Sequence, residues 1–488
     1  MADESIESPP WLIAVLCYTQ YLVLLVFGYL REYCGRLSGY SRYKSPNTKP
    51  GFARLLLDYE SFYTHRVYHR LQEVFNRPVS SSPGAHIDVV ERYTPDGGKT
   101  YMPKEDGSVR PCLNLASYNY LGFADDWLNT CSKDVFEAVE TYGLASSTPP
   151  MEYGTSDVHQ KLERAVAEFI GKPAAFVYNM GYGTNATTIP ALMGKGTLII
   201  SDSLNHSSII NGARISGATV TIFRHNDPSH LESVLRRRIA DGQPRTHYPW
   251  KKIWVVVEGI YSMEGEMVQL RRVIDIVKKY KAYSYVDEAH SIGALGATGR
   301  GICEYAGVDP SEVDILMGTF SKSFGGMGGY IAASEDVIEF IRTSSAGATY
   351  ATSLSPIVAQ QILTALNIIW GRDGTDLGKR KLQALRENSN YFRAGLEKIG
   401  FLTIGSYDSP VIPVIVYSYS KSLAFARACW ARKLAVVTVG FPVTPLLLGR
   451  ARFCISAAHT KEDMDHALKA LAEVSELTRT RFAQRLLG

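Results

Sequence analysis

The sequence predicts an α/β protein: a mostly parallel central sheet flanked by helices, a smaller C-terminal α+β domain, and an N-terminal membrane segment. Three observations lead there. Short Val- and Ile-rich runs alternate with helix-length segments between residues 174 and 334, the pattern changes from about residue 366, and a stretch without charge lies at 11–30. The organisation read from this is a membrane segment with a basic flank (1–50), an amphipathic helix and N-terminal arm (51–115), a large domain (116–365) and a small C-terminal domain (366–488).

Bulk properties bound the function. A chain of 488 residues has room for two to four domains, and 45% hydrophobic with 20% charged residues is the composition of an ordinary folded protein. A net charge of +4 is nearly neutral at this size and gives no reason to expect nucleic acid as a partner. The seven cysteines are scattered, odd in number and without C-x-x-C spacing. That argues against a disulfide framework and a zinc cluster, and for a reducing compartment. No metal site is expected.

The membrane segment is WLIAVLCYTQYLVLLVFGYL, Trp11 to Leu30, about the length that crosses hydrocarbon. Its Leu, Ile, Val and Phe residues together gain about 3–7 kcal/mol on transfer, with Thr19 and Gln20 cancelling part. The leading MADESIES is acidic and precedes no small-x-small cleavage site, a poor match to a secretory signal. Arg31, Arg36, Arg42, Lys44 and Lys49 follow, so the rest of the chain is expected on the cytosolic side. Spanning the bilayer and lying on it both remain open. Next, Phe52, Leu55, Leu56, Tyr59, Phe62, Tyr63, Val67, Leu71, Val74 and Phe75 recur at helical spacing with Arg54, Arg66 and Arg70 among them. That pattern fits an interfacial helix or one packed on the protein's own body.

The strand runs are AAFVY (174–178), TLIISD (197–202), TVTIF (219–223), KIWVVVEG (252–259), YSYVDEAH (283–290), DILMGTF (314–320) and GGYIAAS (328–334). In such sheets ligands bind beyond the carboxyl ends of the strands, which places Asn179, Asp202, Glu258, Asp287, His290 and Thr319 at the expected site edge. From about residue 366 come a long helix, SPVIPVIVYS, a helix, LAVVTVGFP, ARFCISAAH and a closing helix.

Three features of that edge carry chemistry. In AAFVYNMGYGTN a strand runs into a glycine turn and a helix; Gly181 and Gly183 admit a close backbone approach and the helix start offers free N–H groups to a phosphate, though a plain tight turn reads the same way. In VDEAH, Asp287 and His290 can face one pocket, where the carboxylate would pair with a protonated heterocyclic nitrogen or serve as a structural cap. Lys322, in GTFSKSFGGMGG, sits beside Thr319, Ser321 and Ser323 at a strand end, where a desolvated amine can condense with an aldehyde. Pyridoxal 5′-phosphate (PLP) has the aldehyde, the phosphate and the pyridine nitrogen that these features would take. A nucleotide-binding reading of DGGKT (96–100) fails because Tyr93 stands where a P-loop needs glycine.

The ordered series SYNYLG (117–122), GTSDVHQKLE (154–163), NMGYGTN (179–185), LNHSSI (204–209), EGIYSMEG (258–265), VDEAHSIGALGATGRG (286–301), GTFSKSFGGMGG (318–329) and RARFCISAAHT (450–460) resembles the α-oxoamine synthases. These PLP enzymes join an amino acid to an acyl-CoA with loss of CO2. The resemblance runs from about residue 110 to 475 and implies the aspartate-aminotransferase-like fold (fold type I). The membrane segment, the PVTP turn (442–445) and the wording GTFSKSFGGMGGYIA point to the membrane-bound eukaryotic branch. That branch condenses L-serine with a long-chain acyl-CoA, palmitoyl-CoA, to 3-ketodihydrosphingosine at the first step of sphingolipid synthesis, in the endoplasmic reticulum membrane.

Carried onto this chain, the resemblance implies that Lys322 holds the cofactor and moves the Cα proton, Asp287 pairs with the ring nitrogen, His290 lies near the phenolic oxygen, and His206 stacks on the ring. Glu258 and Ser262 line the site. Met180, Gly181, Tyr182, Thr319 and Ser321 hold the phosphate, which Thr352 and Ser353 reach from a neighbouring subunit. Arg452 grips the amino-acid carboxylate, Tyr118 and Asn119 match a substrate-contacting segment, and Arg450 is structural. Partners implied are a non-catalytic subunit in a heterodimer (or a dimer of heterodimers), a small activating subunit and Orm-type regulators. The rival readings are a relative using glycine or alanine with a shorter acyl-CoA, and a non-catalytic partner subunit; the presence of Lys322, Asp287 and His206 together argues against the second.

Overall fold

The computed structural model describes residues 9–37, 51–53, 62–68, 74, 76–96 and 100–483. Arg42, Lys44 and Lys49 of the basic flank lie outside the described residues. So do Arg54, Leu55, Leu56, Tyr59, Arg70, Leu71 and Phe75 of the helical pattern and most of DGGKT.

Two strands open the folded body, β1 (His86–Val90) and β2 (Val109–Asn114). The central sheet is built from β3 (Ala174–Tyr178), β4 (Thr197–Asp202), β5 (Thr219–Phe223), β6 (Lys252–Glu258), β7 (Tyr283–Asp287), β8 (Ile315–Thr319) and β9 (Gly329–Ala333), in the order β3-β9-β8-β7-β6-β4-β5. All of the Val- and Ile-rich runs are strands. Neighbours on one strand enter different cores: Leu198 and Ile200 pack on one face of the sheet and Ile199 on the other, as do Val255 and Val257 against Val256. Both faces are covered at the inner strands, which is why those runs are buried throughout, whereas β5 at the sheet edge alternates and exposes Val220 and Ile222.

Strand β9 alone runs antiparallel, between β3 and β8. Its connection from β8, Phe320–Gly328, is shorter than the dozen or so residues that a parallel crossover needs. That short loop carries Lys322. Gly328 closes it at φ +91°, where a Cβ would lie 2.2 Å from the Tyr178 carbonyl oxygen, so the glycine run serves the close approach of this loop to β3.

The C-terminal domain has its own antiparallel sheet of β10 (Val411–Tyr417), β11 (Val437–Val439) and β12 (Gly449–Cys454), in the order β10-β12-β11. The helix Pro356–Trp370 packs into the large core and runs through residue 366. Leu113 and Leu115 enter the small core, and β2 pairs both with β1 and with Leu434–Ala435. The N-terminal arm is thereby stitched to the C-terminal domain, a long-range pairing with no local sequence signal.

Helix α1 (Trp11–Leu37) is long and apolar enough over Trp11–Gly35 to cross a membrane, by length and composition. One stripe docks on the small domain. Ile13 and Cys17 pack with Leu402, Ile415, Tyr417 and Phe482, and Gln20 Oε1 accepts hydrogen bonds from Ser418 and Ser420. Trp11, Leu22 and Phe27 are more than half exposed on the remaining surface. In the following segment Phe62 is buried and its ring stacks on Tyr29 at 4.0 Å, while Tyr63 Oη donates to the Phe441 carbonyl at 2.9 Å. These two aromatic residues pack on the protein itself.

Asp202, at the end of β4, is used structurally. It accepts from His225 Nδ1 at 2.8 Å and from the backbone N–H groups of Leu204 and Asn226 at 2.9 Å, and His225 Nε2 lies 3.3 Å from Glu266. Burial disfavours the imidazolium, but the hydrogen bonds to Asp202 and Glu266 outweigh it and hold the His225 pKa at about 10, against an ordinary 6.5. Raised in the folded state, this pKa stabilises fully below pH 6.5 and the contribution is lost as pH rises to about 10. His225→Gln should therefore cost on the order of 2–4 kcal/mol at pH 6 and much less at pH 10, measured by denaturant unfolding; a cost independent of pH would contradict the pairing.

Candidate active site

The carboxyl ends of β6, β7 and β8 lie side by side, with Glu258 and Met317 in register with Asp287 from either side. The Phe320–Gly328 loop leaves β8 directly above them, and Arg452 approaches from β12 of the small domain. Two cationic groups converge on one aromatic ring. Lys322 Nζ lies 5.4 Å from the centroid of Tyr118, and the Arg452 guanidinium carbon lies 4.8 Å from the same centroid.

Burial pulls the Lys322 pKa down to about 8, opposed by the charges of Asp287 and Glu258, so a free amine is accessible near neutral pH. Arg452 is buried. Its Nη1 lies 3.8 Å from the Met263 sulfur, and its Nε has no hydrogen-bond partner among the described residues. A buried guanidinium with an unused donor is costly unless a ligand anion completes it. Arg450 differs: Nη1 donates to the Met263 carbonyl at 2.7 Å and to Glu264 at 3.0 Å, and Nε donates to the Leu448 carbonyl at 3.1 Å.

Asp287 is buried and accepts from Asn185 Nδ2 at 2.7 Å and from the Ala289 N–H at 2.8 Å. His206 caps α3 (Ser207–Ser216): its backbone N–H donates to Glu258, and its Nδ1 lies 2.7 Å from Ser208 Oγ. Burial, followed by the charge on Lys322, lowers the pKa of His206 against the pull of Asp287, and the same two causes depress that of His290 further. Both rings are neutral at physiological pH. The Nδ1 of His290 is 2.7 Å from Tyr120 Oη. Burial, with the charge of Asp287 second, raises the carboxyl of Glu258 well above the ordinary range.

Helix α2 (Gly181–Leu192) begins where β3 ends. Met180 is its N-cap residue, and the first backbone N–H to re-enter the helix is that of Thr184, which leaves those of Gly181, Tyr182 and Gly183 outside the helical ladder. A Cβ on Gly181 would sit 2.6 Å from Thr319 Oγ1, and Thr319 Oγ1 is 2.8 Å from Ser321 Oγ. Free amides and two hydroxyls thus share one concave turn.

The other expected residues are placed as follows. Ser262 is buried in the turn after β6. The Thr352 carbonyl accepts from Asn179 Nδ2 at 2.7 Å, beside the turn, whereas Ser353 Oγ faces Gly154 and is buried. Asn119 donates to Asp125 at 2.9 Å and to the Pro83 carbonyl at 3.3 Å, so its side chain braces the segment that carries Tyr118. The sequence places Asn185 inside the site only as a sequon asparagine and does not single out Tyr120, Ser208 or Met263, although each lies inside one of the quoted motifs.

The chain belongs to the class I and II aminotransferase family, whose model matches residues 110–471. It is 53% identical over 471 residues to Long chain base biosynthesis protein 2a of Arabidopsis thaliana, covering 96% of this chain and 95% of that protein. It is 45% identical over 485 residues to Serine palmitoyltransferase 3 of Homo sapiens, covering 99% of this chain and 87% of that protein. A solved structure described as SPT with PLP internal aldimine superposes with a TM-score of 0.74 at 27% identity, over 87% of this chain and 100% of its own. The relatives accord with the resemblance read from the motifs, and the fold is that of the expected class.

A test of the site follows from its electrostatics. Modification of Lys322 by an aldehyde with reductive trapping, read by peptide mass spectrometry on the cofactor-free protein, should rise about tenfold per pH unit and level off near pH 8. A profile still rising towards 10.5 would show an ordinary surface amine.

Proposed function

We propose that this chain is the catalytic, PLP-binding subunit of a serine palmitoyltransferase. It condenses L-serine with palmitoyl-CoA and releases CoA and CO2 to give 3-ketodihydrosphingosine. One observation carries the reading: Lys322 with its depressed pKa, the buried Asp287 carboxylate and the incompletely bonded Arg452 share a pocket that Tyr118 spans.

The residues present fit PLP. The turn at Met180, Gly181 and Tyr182 with Thr319 and Ser321 would take the phosphate, in a cradle that a Cβ at Gly181 would fill. When bound, PLP supplies a conjugated sink for the charge left as the serine Cα loses its proton. Asp287, fixed through both oxygens, holds a proton on the ring nitrogen and so sustains that sink. His206 offers a neutral ring face, His290 with Tyr120 a polar contact for the phenolic oxygen, and Glu258 and Ser262 line the pocket. Lys322 is the nucleophile and carries the Cα proton. Arg452 holds the serine carboxylate by charge-assisted hydrogen bonds and releases it when it departs as CO2. Tyr118, held by the segment that Asn119 braces, contacts the substrate.

The heterodimer is supported by the rim of this pocket. Leu144, Met151, Tyr153 and Tyr350 are exposed around the Thr352–Ser355 segment, and an apolar surface beside a site is what a partner subunit would cover. The partner is the non-catalytic subunit; a small activating subunit and Orm-type regulators complete the complex, and Thr352 and Ser353 would reach the phosphate of a second catalytic chain in a dimer of heterodimers. Helix α1 anchors the chain in the endoplasmic reticulum membrane with the body facing the cytosol. Asn185 and Asn205, both in N-x-Ser/Thr sequons, are buried and hydrogen-bonded in support of an unglycosylated, cytosolic fold.

Membranes containing the chain and its partner subunit should convert radiolabelled serine and palmitoyl-CoA to the long-chain ketone. Lys322→Ala should abolish the product, and Arg452→Ala should raise the serine KM about a hundredfold, the loss of a charge-assisted contact worth about 2–3 kcal/mol. Product from glycine or alanine in preference to serine would favour the rival relative. Deleting residues 1–37 should release the protein from carbonate-washed membranes; retention would mean that another surface anchors it.

A further inference from the structure

Behind the pocket runs a chain of buried side chains in which each donor has one acceptor. Tyr285 Oη donates to Asn185 Oδ1 at 2.7 Å. Asn185 Nδ2 donates to Asp287 Oδ2 at 2.7 Å and to Ser208 Oγ at 3.0 Å, which leaves the Ser208 hydroxyl hydrogen for His206 Nδ1 at 2.7 Å. Tyr285, Asn185, Ser208 and Asp287 are each 3% exposed or less. The amide stands where three elements meet: it belongs to α2, Asp287 ends β7, and His206 and Ser208 begin α3. Gly212 makes this meeting possible, because a Cβ there would lie 2.9 Å from the Asn185 carbonyl oxygen.

We infer that Asn185 is a positioning residue that sets Asp287 and His206, the acid beneath the ring nitrogen and the imidazole against the ring face, in one mutual orientation. The inference rests on the PLP reading above. A side-chain amide can donate to Asp287 and, through the Ser208 hydroxyl, fix His206 while accepting from Tyr285; a carboxylate of the same size accepts only. A neutral donor also matters because Asp287 is already shared electrostatically among Lys322, His206 and Glu258, and a second carboxylate in contact with it could not ionise beside it without penalty. Asn185 therefore orients the acid without altering the charge of the site.

The test uses the full chain purified with its partner subunit and PLP. Its readouts are the pH midpoint of the bound cofactor's visible absorbance and PLP retention on dialysis. Asn185→Asp keeps the volume and the Tyr285 contact, removes both donated bonds and adds charge beneath the ring. The midpoint should rise by about one pH unit and retention should fall about tenfold. A folded Asn185→Asp protein with the wild-type midpoint and retention overturns the inference, whatever its thermal stability. Where Asn185→Asp does not fold, Tyr285→Phe reads the same chain from its far end: a shifted midpoint supports the inference, and wild-type values for both readouts overturn it. Wild-type protein with no cofactor absorbance at all sinks the PLP reading first, and this inference with it.

Discussion

The buried carboxylate of Asp287 is the constraint around which the pocket is arranged. A charge at the end of a core strand is tolerated only when its oxygens are bonded and an opposite charge lies near. Here Asn185 and the Ala289 N–H take the bonds, and the field of the acid favours the protonated forms of Lys322 and His206 against their burial. The lysine ends with a pKa of about 8 because burial outweighs the opposing charges of Asp287 and Glu258. Without the acid, burial would act on the amine without its largest opposing charge. Without burial, the amine would stay charged and unreactive.

The second requirement is that the pocket be completed by a different domain. Strand ends of the large sheet supply Glu258, Asp287 and the Lys322 loop, but Arg452 arrives on β12 and Tyr118 on the link between the N-terminal arm and the large domain. Arg450, one turn of the pleat away, grips the Met263 carbonyl and Glu264 and so ties β12 to the turn after β6. A pair of arginines on the same face of one strand thus divides the work. The one with satisfied donors joins the domains, and the one with an idle donor faces the pocket.

Helix α1 obeys two solvents at once. Its docked stripe uses a mixture unsuited to bare hydrocarbon: Gln20 shared by Ser418 and Ser420, and Gly28 letting the Phe62 ring approach. Much of the rest of its surface up to Leu30 is exposed and apolar, with Trp11, Leu22 and Phe27 among the open residues. The helix rests on the same domain that supplies Arg452.

What the sequence by itself determined was the set of strands and the chemistry at their ends. Local apolar runs and glycine turns are short-range signals, so the central strands, the glycine turn that opens α2 and the placing of Asp287 and the Lys322 loop at strand ends were legible. Tertiary structure alone decided the direction of β9, the seating of residues 86–115 on the C-terminal domain and the packing of Phe62 on α1. It also decided the division of labour between Arg450 and Arg452, the diversion of the Asn119 and Asp202 side chains into bracing, and the bonding of Asn185 to Asp287. Each of these depends on which distant residue fills a hydrogen bond or a cavity. Some of these partners, as with Asn185 and Asp287 or Leu113 and Leu434, lie a hundred or more residues apart, and even nearer ones such as Asn119 and Asp125 or Asp202 and His225 are matched by no periodicity along the chain.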